Sequence, residues 1–156
     1  MEAYEQLEGV WAEFNGLDPA GMVACSSGTA ALHLAVEGLG LANRMLTVGV
    51  PDYTMVACAR AVRLANAHVE FLDCGPDLLV SPASLVGRNG RYAAVMPVHV
   101  YGRRCNLDAL QATLRSQQFI LPGGQVPHVI EDLAEAHLVR PHPDTSAACW
   151  SFYKNK

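Results

Sequence analysis

Three short stretches of this chain hold residue types that can do chemistry together. The first, Glu131-Asp132-Leu133-Ala134-Glu135-Ala136-His137, sets three carboxylates and a histidine where the apolar run His128-Val129-Ile130 gives way to a loop. A carboxylate at the end of an apolar strand is costly to bury unless a cation faces it, so Asp132 calls for a positive partner. A protein arginine and a ligand cation both meet that need. A metal ion fits less well, because no second His/Asp group with ligand spacing appears.

The second stretch, Ser26-Ser27-Gly28-Thr29-Ala30-Ala31-Leu32, is a small polar turn opening onto an apolar helix. Ser27 or Thr29 suits the N-cap, and the unpaired N–H groups of the first turn, with the positive end of the helix dipole, make an anion site that a phosphate fits. An ordinary helix cap accounts for the same residues. The third stretch is Ser151-Phe152-Tyr153-Lys154-Asn155-Lys156, which carries both lysines of a chain whose other nine basic residues are arginines. A lysine whose ammonium is desolvated or crowded by positive charge can attack a carbonyl and form a Schiff base. Two lysines at a terminus also fit a solvated tail.

The elements that would position these stretches alternate. Strand-like runs occupy Met22–Cys25, Met45–Val50, Val69–Asp73, Tyr92–Val98, His128–Asp132 and Ala148–Phe152, and most are continuously apolar, as strands covered on both faces are. Helical stretches fall at Glu2–Phe14, Thr29–Leu39, Thr54–Asn66 and Asn106–Gln118, the last with Leu107, Leu110 and Leu114 on one face. The alternation argues for an α/β fold with a mostly parallel sheet, helices on both sides and right-handed crossovers. Ligands of such sheets sit at the carboxyl ends of the strands. Gly123-Gly124 and the Pro-containing segment from Val139 to Thr145 are the loosest stretches, neither long enough for an interdomain linker.

A chain of 156 residues, 51% apolar and 17% charged, has the length and composition for one well-buried core. The net charge of −4 and the scattered basic residues give no support to nucleic-acid binding. No apolar run reaches the ~20 residues of a membrane span, and the acidic, polar start MEAYEQLEGV is unlike a secretion signal, so a cytoplasmic location is expected. Five cysteines at wide spacings, without a C-x-x-C pair, argue against a disulfide framework and for buried free thiols.

In chain order the sequence presents Ser27-Gly28-Thr29-Ala30-Ala31-Leu32, Pro51-x-Tyr53-Thr54-x-Val56-Ala57, Pro97-Val98-His99-x-Tyr101-Gly102, Glu131-Asp132-x-Ala134-Glu135-Ala136-His137 and Ser151-Phe152-x-x-x-Lys156. Together they resemble the DegT/DnrJ/StrS family of pyridoxal-phosphate-dependent sugar aminotransferases, from about residue 4 to residue 156. The resemblance implies the large domain of the aspartate-aminotransferase (fold type I) architecture, a three-layer sandwich around a mostly parallel sheet, and pyridoxal 5'-phosphate as cofactor. Lys156 then matches the lysine that holds the cofactor, and Asp132 the carboxylate that pairs with its protonated ring nitrogen. Gly28, Thr29, Ala30 and Ser151 match groups around its phosphate, and Glu135 one near its phenolic oxygen.

Met55 stands where the family usually places an aromatic against the ring, which implies a softer contact. Leu138 replaces a usual glycine, and the segment from Val139 to Ala147 lacks the family's glycines. Family members continue past the lysine into a glycine-rich loop, further helices and a small C-terminal domain, and complete each site with a second subunit. The expectation is therefore that residues 1–156 form a single, partial large domain without the small C-terminal domain, and that the chain acts as a homo-oligomer or with another polypeptide. The implied activity is transfer of an amino group, usually from glutamate, to a keto group of a nucleotide-linked sugar. The alternative is a non-catalytic scaffold or assembly module that keeps the fold.

Overall fold

The computed structural model describes residues 3–42, 46–88, 92–116 and 126–153. Met45, Gly123-Gly124, Lys154 and the expected cofactor lysine, Lys156, lie outside the described residues. The main elements are α1 (Ala3–Asn15), α2 (Gly28–Gly38), β1 (Thr47–Pro51), α3 (Val56–Leu64), β2 (His68–Leu72), β3 (Ala94–Val95), α4 (Leu107–Ser116), β4 (His128–Asp132) and β5 (Ala147–Cys149). The strands form one sheet in the order β2-β1-β3-β4-β5, and every neighbouring pair is parallel.

From β1 the chain steps outward to β2 and then returns to β3 on the other side of β1. Right-handed crossovers taken in opposite directions put α3 and α4 on opposite faces of the sheet. Helix α2 packs on α3, which completes three layers. The interior strands are covered on two sides, since consecutive residues are buried: Val48, Gly49 and Val50 of β1, Ala94 and Val95 of β3, and Val129 and Ile130 of β4. Edge strand β2 instead leaves Phe71 exposed. In α4 the residues Leu107, Leu110 and Leu114 are buried together, as their spacing requires.

Three strand expectations are corrected. Met22–Cys25 is irregular, with Val23 73% exposed and the Ala24 N–H donated to the Glu8 carboxylate at 2.7 Å; an apolar run becomes a strand only beside a neighbour, and no described strand pairs with it. The run Tyr92–Val98 contributes only Ala94–Val95 as strand, because Pro97 has no N–H to give a ladder. The last run pairs over Ala147–Cys149, one residue earlier than expected, and leaves the ladder before Trp150. Helix α3 is shorter than the stretch Thr54–Asn66, ending before Asn66 turns to the left-handed region at φ 59°. The thiols are all free, but only Cys58, Cys105 and Cys149 are buried; Cys74 is half-buried and Cys25 exposed.

Candidate functional site

At the carboxyl end of β4 two consecutive carboxylates point to opposite faces of the sheet, as neighbours on a strand must. Glu131 is fully buried. It accepts hydrogen bonds from His99 Nε2 at 2.9 Å, from the His142 N–H at 2.7 Å and from Thr145 Oγ1. His99 Nδ1 accepts the Cys105 N–H at 3.1 Å, so the ring's proton sits on Nε2 and is donated to Glu131. Burial by itself would raise the Glu131 carboxyl, but the bonds from His99, Thr145 and His142 outweigh it and hold the group below its ordinary value.

Asp132 is 5% exposed and lines an open cleft of about 740 Å³. Its backbone is fixed on both sides: its N–H reaches the Pro97 carbonyl at 2.9 Å, and its carbonyl accepts the His99 N–H at 3.1 Å. Among the described residues its side chain has only neutral donors, the Cys58 S–H on Oδ2 at 3.1 Å and the Ala134 N–H on Oδ1 at 2.9 Å. Among the described residues no arginine or histidine pairs with it. Of the two cations that the sequence leaves open, a protein arginine and a ligand cation, the described residues do not supply the arginine. Its charge is felt by its neighbours: the Cys149 thiol is pushed up to about 12, first by burial and then by Asp132.

The same cleft gathers Gly28, Thr29, Met55 and Ser151. Ser27, not Thr29, is the N-cap of α2, its Oγ accepting the Ala30 N–H at 3.2 Å. The first turn of α2 opens beside Ser151, and the approach is close: a Cβ on Gly28 would lie 2.9 Å from Ser151 Cβ. Met55 is 55% exposed on the cleft wall. Ala30 does not line the cleft, and neither does Glu135, whose Oε2 accepts the Tyr101 N–H at 3.1 Å.

An aromatic clamp holds the segment that leads toward Lys156. Trp11 of α1 meets Trp150 edge-on at 6.0 Å and Phe152 at 4.8 Å. His137 Nε2 donates to the Ser151 carbonyl at 2.6 Å. Sequence reasoning missed this clamp, since α1 and β5 lie far apart in the sequence. It named Tyr101 and Tyr53 within motifs but gave neither a role: Tyr101 has a φ of 54°, a conformation few side chains adopt, and its hydroxyl lies 3.0 Å from that of Tyr53. The residues after β1 and β3 thus meet where the strand order reverses, the usual place for a ligand in an open α/β sheet.

Residues 2–156 match the profile described as the DegT/DnrJ/EryC1/StrS aminotransferase family. The chain belongs to that family. It is 32% identical over 133 residues to the GDP-perosamine synthase of Caulobacter vibrioides, covering 84% of this chain and 33% of that one. It is 32% identical over 164 residues to the dTDP-3-amino-3,4,6-trideoxy-alpha-D-glucose transaminase of Streptomyces venezuelae, covering 97% of this chain and 40% of that one. The crystal structure of S. venezuelae DesV in complex with a ketimine intermediate superposes with a TM-score of 0.77 at 26% identity, over 100% of this chain and 41% of that one. The chain thus spans about a third to two-fifths of the length of these relatives. The family's sugar aminotransferases share the fold type I architecture, and this parallel sheet with its helices is part of it. Among the described residues no helix is long and apolar enough to cross a membrane.

Proposed function

We propose that this protein is a pyridoxal 5'-phosphate-dependent aminotransferase acting on a nucleotide-linked keto-sugar in the cytoplasm, with glutamate as amino donor. The observation that carries the reading is Asp132, a buried carboxylate that faces the cleft and has only neutral donors among the described residues. A buried charge of that kind is stabilised by a cation arriving from outside. The names of the relatives, a GDP-perosamine synthase and a dTDP-aminosugar transaminase, support the substrate class. Five free thiols agree with a reducing compartment.

The residues present fit the cofactor. Asp132 would hold the protonated ring nitrogen. The first-turn N–H groups at Gly28 and Thr29, aligned with the dipole of α2, and the Ser151 hydroxyl would hold the phosphate. Gly28 is needed there because any side chain would collide with Ser151. Met55 would cover the ring with a polarizable thioether. Ala30 contributes by keeping α2 capped on Ser27, and Glu135, next to the cleft-lining Ala134, would approach the phenolic oxygen. When bound, pyridoxal phosphate supplies an electron sink that eases bond breaking at the amino-bearing carbon. The Lys156 amine would hold the cofactor and carry protons to and from that carbon. The clamp of Trp11 and His137 on Phe152 and the Ser151 carbonyl fixes residues that shortly precede that lysine in the sequence.

The test is direct. Protein mixed with pyridoxal 5'-phosphate should gain a visible absorbance band that is absent in Lys156→Ala and weakened in Asp132→Asn; a colourless wild-type protein overturns the reading. A second reading, an assembly module, is favoured by the exposed Tyr4, Val10 and Phe14 on α1. A homo-oligomer or a complex with another polypeptide would cover that face, and a solution mass matching the lone chain would count against it.

A further inference from the structure

We propose that Cys58 is a positioning residue for Asp132: its S–H, steered by the Thr54 hydroxyl, holds the carboxylate toward the cleft without neutralising it. The inference rests on the reading of the cleft as a pyridoxal-phosphate site and deepens it. Cys58 is fully buried in the first turn of α3, and its Sγ lies 3.1 Å from Asp132 Oδ2 and 3.1 Å from Thr54 Oγ1. A thiol has one proton, and the carboxylate oxygen can only accept it. The Thr54 hydroxyl therefore donates to sulfur, giving a chain that runs from Thr54 O–H to Cys58 S–H to Asp132, in which each bond polarises the next.

A cysteine at a helix N-terminus is ordinarily tuned the other way. The dipole there favours thiolate and makes the sulfur a nucleophile. At Cys58 burial, then the negative charge of Asp132, push the thiol far above its ordinary value, so it stays protonated and remains a donor. An attacking thiol is excluded, and an orienting one remains. The choice of donor matters to a cation-binding carboxylate. An arginine or lysine in this place would orient Asp132 equally well but would spend its charge on the protein. The S–H and the Ala134 N–H fix one oxygen each and leave the full negative charge for a cation in the cleft. Thr54 just precedes α3, Cys58 lies in its first turn and Asp132 comes from β4, so the carboxylate's direction is set jointly by the start of α3 and the strand.

Two readouts decide it. In cofactor-free protein the infrared S–H stretch lost in Cys58→Ala should lie below those of the other thiols and move upward in Asp132→Asn and in Thr54→Val. In spectral titrations with pyridoxal 5'-phosphate, Cys58→Ala should bind about tenfold more weakly, the low end for a hydrogen bond to a charged group. Cys58→Thr and Cys58→Ser, which restore a hydroxyl donor, should recover most of that loss. A Cys58→Ala protein that binds like wild type while Asp132→Asn does not, or an S–H band indifferent to Asp132, overturns the inference and leaves the cofactor reading intact. Wild-type protein that binds no pyridoxal 5'-phosphate overturns the cofactor reading instead, and the S–H band then still decides whether Cys58 holds Asp132.

Discussion

Glu131 and Asp132 are adjacent, both buried and both carboxylates, yet the two faces of β4 treat them differently. Glu131 meets three donors from His99, His142 and Thr145, with none of its side chain in contact with solvent. Among the described residues Asp132 meets one thiol and one amide, and it looks into a cleft of about 740 Å³. The lesson is that burial alone does not mark a functional carboxylate. A charge whose donors all come from within the protein ties distant segments together, here β4 to the loops holding His99 and residues 142–145. A charge left short of cationic partners is available to something that arrives later.

The comparison breaks most visibly at Glu131. Glu131→Ala strands the donors of His99, His142 and Thr145 in the interior and should destabilise the fold by about 3 kcal/mol, read as a lowered denaturation midpoint. If the loss is only a few tenths, Glu131 is not the structural member of the pair. Acid should remove part of the same contribution. The carboxyl sits below its ordinary value in the folded chain, so its stabilisation is complete above the unfolded value of about 4.3 and is lost as pH falls through the folded one. Stability measured from neutral pH downward should therefore fall more steeply in wild type than in Glu131→Gln.

On the cleft side the expected changes in stability are smaller. In Gly28→Ala the better helix propensity opposes a 2.9 Å contact with Ser151 Cβ. The contact wins because a Cβ cannot swing aside, for a net loss of about 1 kcal/mol and a larger loss of phosphate-bearing ligand in a binding titration. Asp132→Asn should change stability least, by less than about 0.5 kcal/mol, because Asn keeps an acceptor for Ala134 and loses no charged partner among the described residues. Its effect should appear in cofactor affinity. A large fall in melting temperature for this variant would show that the two carboxylates do the same job.

Features written in local pattern were legible. The apolar runs at Val48–Val50 and Val129–Ile130 announce strands covered on both faces, Leu107, Leu110 and Leu114 announce the buried side of α4, and Ser27 announces a cap. Asp132 stood out because a charge ending an apolar run is locally anomalous. What escaped depends on partners distant in the chain. Met22–Cys25 reads as a strand but has no described neighbour to pair with. His99 and Glu131 find each other only once β3 and β4 lie side by side, and Cys58 faces Asp132 only after α3 has crossed the sheet. The left-handed backbone at Tyr101 lies in the turn between β3 and α4, where the Tyr101 N–H is held by Glu135, and no residue preference would assign it to a tyrosine.

The close approach of Gly28 to Ser151 also bears on how the molecule is made. These two residues lie far apart in the described chain, so a ribosome must extrude everything between them before they can touch. Until then α2 and the early strands wait with their apolar sides uncovered, the condition under which nascent proteins recruit chaperones or clump.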